Sequence, residues 1–176
     1  NKHIYVADYT EHTKLLTPKR DVEIFSPNPC TDIDYFSIDN PSDIEIDTII
    51  LDNNSFTYQN GQPRSQCETT MFPSSSNKNS WFLLTELKYS INPNKNSKNL
   101  RKAIKQLLKT RYYYIQELII TKTNNQYLIA SLPMQGEPFS NFSLTQSFLL
   151  DLKVKRNIIL RLKNSVEVQD DKIIKL

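Results

Sequence analysis

The tripeptide Glu86-Leu87-Lys88 lies inside the apolar run WFLLTELKY, residues 81–89. On a strand, residues two apart share a face, so the Glu86 carboxylate and the Lys88 ammonium emerge side by side. A carboxylate binds hard cations, and a neighbouring ammonium orients a water or stabilises charge developing on a phosphoryl group. The spacing alone carries little weight, because acid-x-Lys recurs at Asp151-Leu152-Lys153 and Asp170-Asp171-Lys172. The setting separates Glu86 from these, since a carboxylate in an apolar strand is costly unless a cation or a partner compensates it. Glu68 has a similar setting in the β-forming stretch 67–72. The competing readings are an exposed ion pair on an edge strand for Glu86 and Lys88, and a rim position for Glu68.

Other chemistries find little material. His3 and His12 are the only histidines, both near the N-terminus, without useful spacing or an apolar setting. Cys30 and Cys67 are too few for a disulfide framework or a cysteine-built zinc site, and Cys67 reads as a buried strand cysteine. Carboxylates and lysines must therefore carry any reaction.

The elements that would position them can be read in turn. Residues 67–72 and 81–89 are joined by eight residues, 73–80, nearly all Ser, Asn or Lys, which predicts an antiparallel β-hairpin. With the turn centred near residue 77, Glu68 falls opposite Thr85 or Glu86. Residues 98–116 predict the best helix in the chain, capped by Ser97 or Asn96. Leu100, Ile104, Leu107, Leu108 and Ile115 form its apolar stripe, and Lys98, Arg101, Lys102, Lys105 and Lys109 its basic flank. Strands are expected at 44–51, 55–58, 118–121, 126–132, 157–162 and 165–169, and a second helix at 144–155. Residues 1–30, broken by Pro18, Pro27 and Pro29, read as an arm or edge hairpin. The acidic stretch 32–47 reads as a solvated face, Asp52 as a turn residue, and at least one of Tyr112, Tyr113 and Tyr114 as core.

At 176 residues, with 38% hydrophobic and 23% charged positions, the chain reads as a single domain with a real core. Its parts are an N-terminal arm or extension (1–43), a core (44–132), and a C-terminal helix and strands (133–176). The net charge of +3 conceals an asymmetry: residues 1–80 carry 12 acids and 6 bases, and residues 81–176 carry 7 acids and 16 bases. A basic half of this kind suits a phosphate-bearing partner and an acidic edge suits cations, although the Lys- and Asn-rich composition also accounts for it. No stretch approaches the ~20 apolar residues of a membrane span, and no secretory signal is visible, so a cytoplasmic protein is expected.

A first acid on a strand, a hairpin, a Glu-x-Lys strand and then an amphipathic basic helix together resemble the PD-(D/E)XK, or restriction-endonuclease-like, nucleases. The resemblance covers about residues 44–132. It implies an α/β fold, with a mixed central β-sheet flanked by helices around a restriction-endonuclease-like core. It also implies Mg2+ (or Mn2+) held by Glu68, Glu86 and a backbone carbonyl, with Lys88 beside the attacking water. The implied activity is phosphodiester hydrolysis in DNA or RNA, with Lys98, Arg101, Lys102, Lys105 and Lys109 contacting phosphates. Some members carry a glutamine on the following helix, a place Gln106 takes, although Thr110 stands where one subgroup has tyrosine. The first acid is Glu where Asp is usual, and the acid-bearing helix before the first strand has only Glu45 and Asp47 as weak substitutes. The runner-up expectation is an inactive nuclease-fold module that binds protein or nucleic acid in a larger assembly; a homodimer or a protein partner is a further expectation beside DNA or RNA. The third is a protein whose basic helix is only a solvated surface.

Overall fold

The computed structural model describes residues 1–176. In chain order the elements are β1 (His3–Asp8), α1 (Thr10–Thr13), β2 (Val22–Phe25), β3 (Phe36–Asp39), β4 (Ile46–Ile50), β5 (Thr69–Pro73) and β6 (Trp81–Leu87). They continue with α2 (Asn96–Gln116), β7 (Asn125–Ser131), α3 (Gln146–Arg156), β8 (Ile158–Leu162), β9 (Ser165–Val168) and β10 (Ile174–Lys175). The strands form two five-stranded mixed sheets, β4-β5-β6-β7-β8 and β10-β9-β3-β1-β2. The class is α/β.

In the first sheet β4, β5 and β6 run as an antiparallel meander, and β7 and β8 then add in parallel to β6. Parallel neighbours need a crossover, and α2 and α3 supply the two. Both crossovers step in the same direction along the sheet, so the right-handed rule puts both helices on one face. Leu84, Leu100, Leu107, Leu128, Leu152 and Leu160 fill the space between that face and the helices. The opposite face is covered by the second sheet, through a cluster that includes Val6, Phe36, Ile38, Trp81, Leu83 and Ile129. Every residue of β6 is buried, which explains the unbroken apolar reading of this strand.

The layers are therefore helices, sheet and sheet, not one central sheet flanked by helices. The segment expected to be an arm supplies β1, which lies between β3 and β2 with Val6 and Ala7 fully buried. Its prolines fall outside the strands, so they limit strand length without preventing pairing. Residues 55–58 make a single bridge, Thr57 to Pro63, where a strand was expected. Residues 118–121 form a turn with Leu118 at φ 56°, and β7 pairs with β6 instead of with that segment. Helix α2 is led by a one-turn 3-10 segment, Pro93–Lys95, whose cap is Asn92, accepting from the Asn94 N–H. Asn96 is buried and hydrogen-bonds the Gln135 side chain and the Ser140 carbonyl. No helix is long and apolar enough to cross a membrane.

Because β6 is packed on both faces, truncating either side of it should cost about the same. Leu83→Ala, facing the second sheet, and Leu84→Ala, facing the helices, should each lose about 2–5 kcal/mol in urea unfolding. A loss below about 1 kcal/mol for Leu83→Ala would contradict the sheet-on-sheet core.

Candidate functional site

The predicted hairpin is present. β5 and β6 pair antiparallel, with Thr69 opposite Thr85 and Met71 opposite Leu83. One residue before Thr69, the Glu68 N–H donates to the carbonyl of Thr85, already the partner of Thr69, at 3.2 Å, so the regular register ends at Thr69 and Glu68 lies opposite Thr85, beside Glu86. Beyond that point the chain leaves the ladder. The Glu68 carboxylate takes the place of a ladder carbonyl and accepts the Leu87 N–H at 2.8 Å.

Two groups on α2 fix this departure. Gln106 donates through Nε2 to the Gln66 carbonyl at 2.8 Å, and Thr110 Oγ1 accepts the Cys67 N–H at 2.7 Å. Spaced four apart, they lie on one helix face and hold the backbone that precedes Glu68. Thr110 thus has a positioning role that its residue type did not signal.

Lys88 joins the two acids. Its ammonium hydrogen-bonds Glu86 Oε1 and lies 3.9 Å from Glu68 Oε1. The Glu86 side chain is 0% exposed, against 13% for Glu68 and 19% for Lys88. This excludes the exposed-pair reading, and β6 is an interior strand, not an edge. By contrast, Asp151 is exposed on α3, where it pairs with Lys155, and Asp170 is an exposed turn residue. The same acid-x-Lys spacing has three structural outcomes, and only one is buried.

Burial raises the Glu86 carboxyl to about 7, against the opposing charge and hydrogen bond of Lys88. Burial, and then the Glu86 charge, push Glu68 well above the usual carboxylate range. Burial works to lower the Lys88 pKa, but Glu86 and Glu68 outweigh it, and the ammonium is held above its ordinary value.

The three residues line a cleft of about 660 Å³ between the two sheets' ends and α2. Asp8, Glu11 and Asp21 reach it from the N-terminal segment, and Asn99, Lys102 and Gln106 from α2. Tyr89 ties the two walls together, donating to the Asp34 carbonyl at 2.8 Å and accepting the Asp8 N–H at 3.1 Å. Five buried side-chain polar atoms in the chain lack a hydrogen-bond partner, and three belong to cleft residues: Glu86 Oε2, Gln66 Oε1 and Gln106 Oε1. All three are acceptors, and an uncompensated buried acceptor calls for a donor or a cation. The donor set of carboxylate and amide oxygens is that of a hard cation such as Mg2+. No group of three His, Cys, Asp or Glu side chains is close enough to hold a metal by itself.

The remaining expected residues divide. Lys102 lines the cleft, whereas Arg101, Lys105 and Lys109 line a separate groove on the other flank of α2. Lys98 is exposed and borders neither. Glu45 and Asp47 are exposed and do not line the cleft, so neither supplies an extra ligand. Asp52 is at the cleft and is also a turn residue, accepting the Asn54 N–H at 2.9 Å. Tyr113 and Tyr114 are core and Tyr112 is exposed. Comparison with protein-family models, curated proteins and solved structures returns no match.

The buried carboxyl makes stability depend on pH with a definite sign. Between its ordinary value of 4.5 and about 7, Glu86 holds a proton in the folded chain that the unfolded chain has lost. Its contribution is fully present below 4.5 and disappears as pH rises through 7. Relative to Glu86→Gln, the wild type should lose on the order of a few kcal/mol across that window in urea unfolding. Parallel pH profiles for the two proteins would contradict the burial of an ionisable Glu86.

Proposed function

We propose that the chain is a cytoplasmic, metal-dependent nuclease-like protein that hydrolyses phosphodiester bonds in nucleic acid. The observation that carries this reading is the fully buried Glu86, with Oε2 unpartnered, bonded to a Lys88 ammonium that Glu68 also approaches at 3.9 Å. The order β4-β5-β6-α2-β7, with one acid on β6 and the other immediately before β5, is in keeping with a restriction-endonuclease-like core.

Glu68 and Glu86 would hold Mg2+ or Mn2+, with the Gln106 amide oxygen as a further neutral donor. A bound divalent ion supplies Lewis-acid polarisation of a phosphoryl oxygen and a lower pKa for a coordinated water. Lys88 anchors the two carboxylates as a counter-ion in the free chain. With a phosphodiester present, the same ammonium would hold a water for attack and stabilise charge on the phosphoryl oxygens. Lys102, unpaired at the cleft wall, contributes positive charge for the phosphate backbone without reading sequence.

A second reading is supported by the lack of a third acidic ligand. A nuclease-fold module with this incomplete set would bind nucleic acid or protein without cleaving.

The test is incubation of the purified chain with DNA and RNA, single- and double-stranded, in Mg2+, Mn2+ or chelator. Metal-dependent cleavage is expected, reduced at least ~100-fold by Glu86→Gln and by Lys88→Ala. Lys88→Arg should rescue poorly, because a planar guanidinium does not replace a compact ammonium. Cleavage that survives Glu86→Gln would rule out this site, and no wild-type cleavage on any substrate would favour the binding module.

A further inference from the structure

The groove on the far flank of α2 has about 490 Å³ of space and lies between the helix and residues 142–148. Its cations are Arg101, Lys105 and Lys109, and no acid lines it. None of the three forms an ion pair, unlike Lys14, Arg20, Lys88, Lys155, Lys163 and Lys175. The floor is apolar, and three rings edge it: Tyr112, Phe142 and Phe148. Tyr112 is 54% exposed and Phe148 39% exposed.

The two kinds of residue are in register. Arg101, Lys105 and Lys109 repeat every four residues, and so do Ile104, Leu108 and Tyr112. On a helix this gives a cationic row and an apolar row side by side, each advancing about 6 Å per step, the apolar row rising from the buried Ile104 to the exposed Tyr112. We infer that this groove binds single-stranded nucleic acid, its phosphates on Arg101, Lys105 and Lys109 and its bases on the exposed rings at its edge, Tyr112 and Phe148. An unpaired strand presents anions together with accessible flat base faces, which matches a row of cations beside exposed rings. A duplex hides its base faces in the stack and would leave the apolar floor uncovered. An acidic peptide satisfies the cations but has no obligatory pairing of charge with a flat apolar group.

The inference rests on the nuclease reading for why such a strand would be there, since α2 separates the groove from the Glu86 cleft by its own width. It names the substrate class as unpaired strands. Binding is separable from cleavage and can fail or succeed independently.

The experiment is fluorescence anisotropy of the full chain, in chelator, with labelled oligothymidylate, oligouridylate, a duplex of the same length and oligoglutamate. The expected result is single strands, DNA or RNA, binding at least ~10-fold tighter than duplex, with affinity falling as salt rises. Arg101→Glu with Lys105→Glu should weaken single-strand binding ~10-fold or more and reduce the salt slope by about 1.4, the contribution of two phosphate contacts. Tyr112→Ala, at an exposed position, should weaken binding about 5-fold or more with the salt slope unchanged. Equal affinity for duplex, oligoglutamate binding that the same variants abolish, or variants without effect would each overturn the inference. Glu86→Gln separates the two ideas: lost cleavage with unchanged binding leaves both standing. Groove variants that bind normally in a protein that cleaves would remove only the groove, and groove variants that lose binding in a protein that never cleaves would remove only the nuclease reading.

Discussion

The burial of the Glu86 carboxylate in the middle of a two-sided core is the constraint on which the rest of the site depends. Taking an ionised carboxylate out of water costs several kcal/mol even after relaxation, and no apolar neighbour returns it. The chain answers with Lys88 two residues on, on the same strand face, and with Glu68, just ahead of the neighbouring strand, sharing that ammonium. Burial keeps both carboxyls above their ordinary range, with the Glu86 charge adding to the effect at Glu68, and the single Lys88 ammonium does not offset it. A site whose carboxyls keep their protons for want of positive charge favours a further cation that would let them ionise. Stability alone would be served better by an apolar side chain at position 86.

The fold supplies what this arrangement requires. Parallel pairing with β7 and antiparallel pairing with β5 make β6 an interior strand, so Glu86 has no route to solvent through an edge. Helix α2 then closes the cleft and, through Gln106 and Thr110, fixes where the chain departs from β5. That departure frees the Glu68 carboxylate to accept a backbone N–H and still reach Lys88. The second sheet brings Asp8 to the same cleft and is held there by Tyr89. The two faces of α2 are chemically distinct as a result: Asn99, Lys102 and Gln106 serve the cleft, and the cationic and apolar rows serve the groove.

Local pattern was enough to read the hairpin, its register to within one residue, the span of α2 and the pairing of Glu86 with Lys88. Each depends on contacts close in sequence or on periodicity within one element. Patterns spanning distant residues were not legible. Nothing in HIYVAD reveals that β1 will sit inside a second sheet, because strand order is set by packing against residues more than a hundred positions away, such as Val166 and Val168. The prolines of residues 1–30 pointed toward an arm because proline is a breaker wherever it falls, yet here it falls between strands. Asp8 was missed for the same reason as β1, since its place at the cleft is a consequence of sheet packing. The basic flank of α2 read as a single surface because helical periodicity locates a face but not what stands opposite it.

The central claim is that Glu68 and Glu86 form a divalent-cation site. The direct test is calorimetric titration of Mn2+ into the chain at pH 7, in two buffers of different ionisation enthalpy. One ion per chain is expected, with proton release, because burial raises both Glu68 and Glu86 and both must ionise to bind. Both the binding and the proton release should vanish in Glu86→Gln. An ion that binds equally well to Glu86→Gln, or a wild-type chain that takes up none, would contradict the claim.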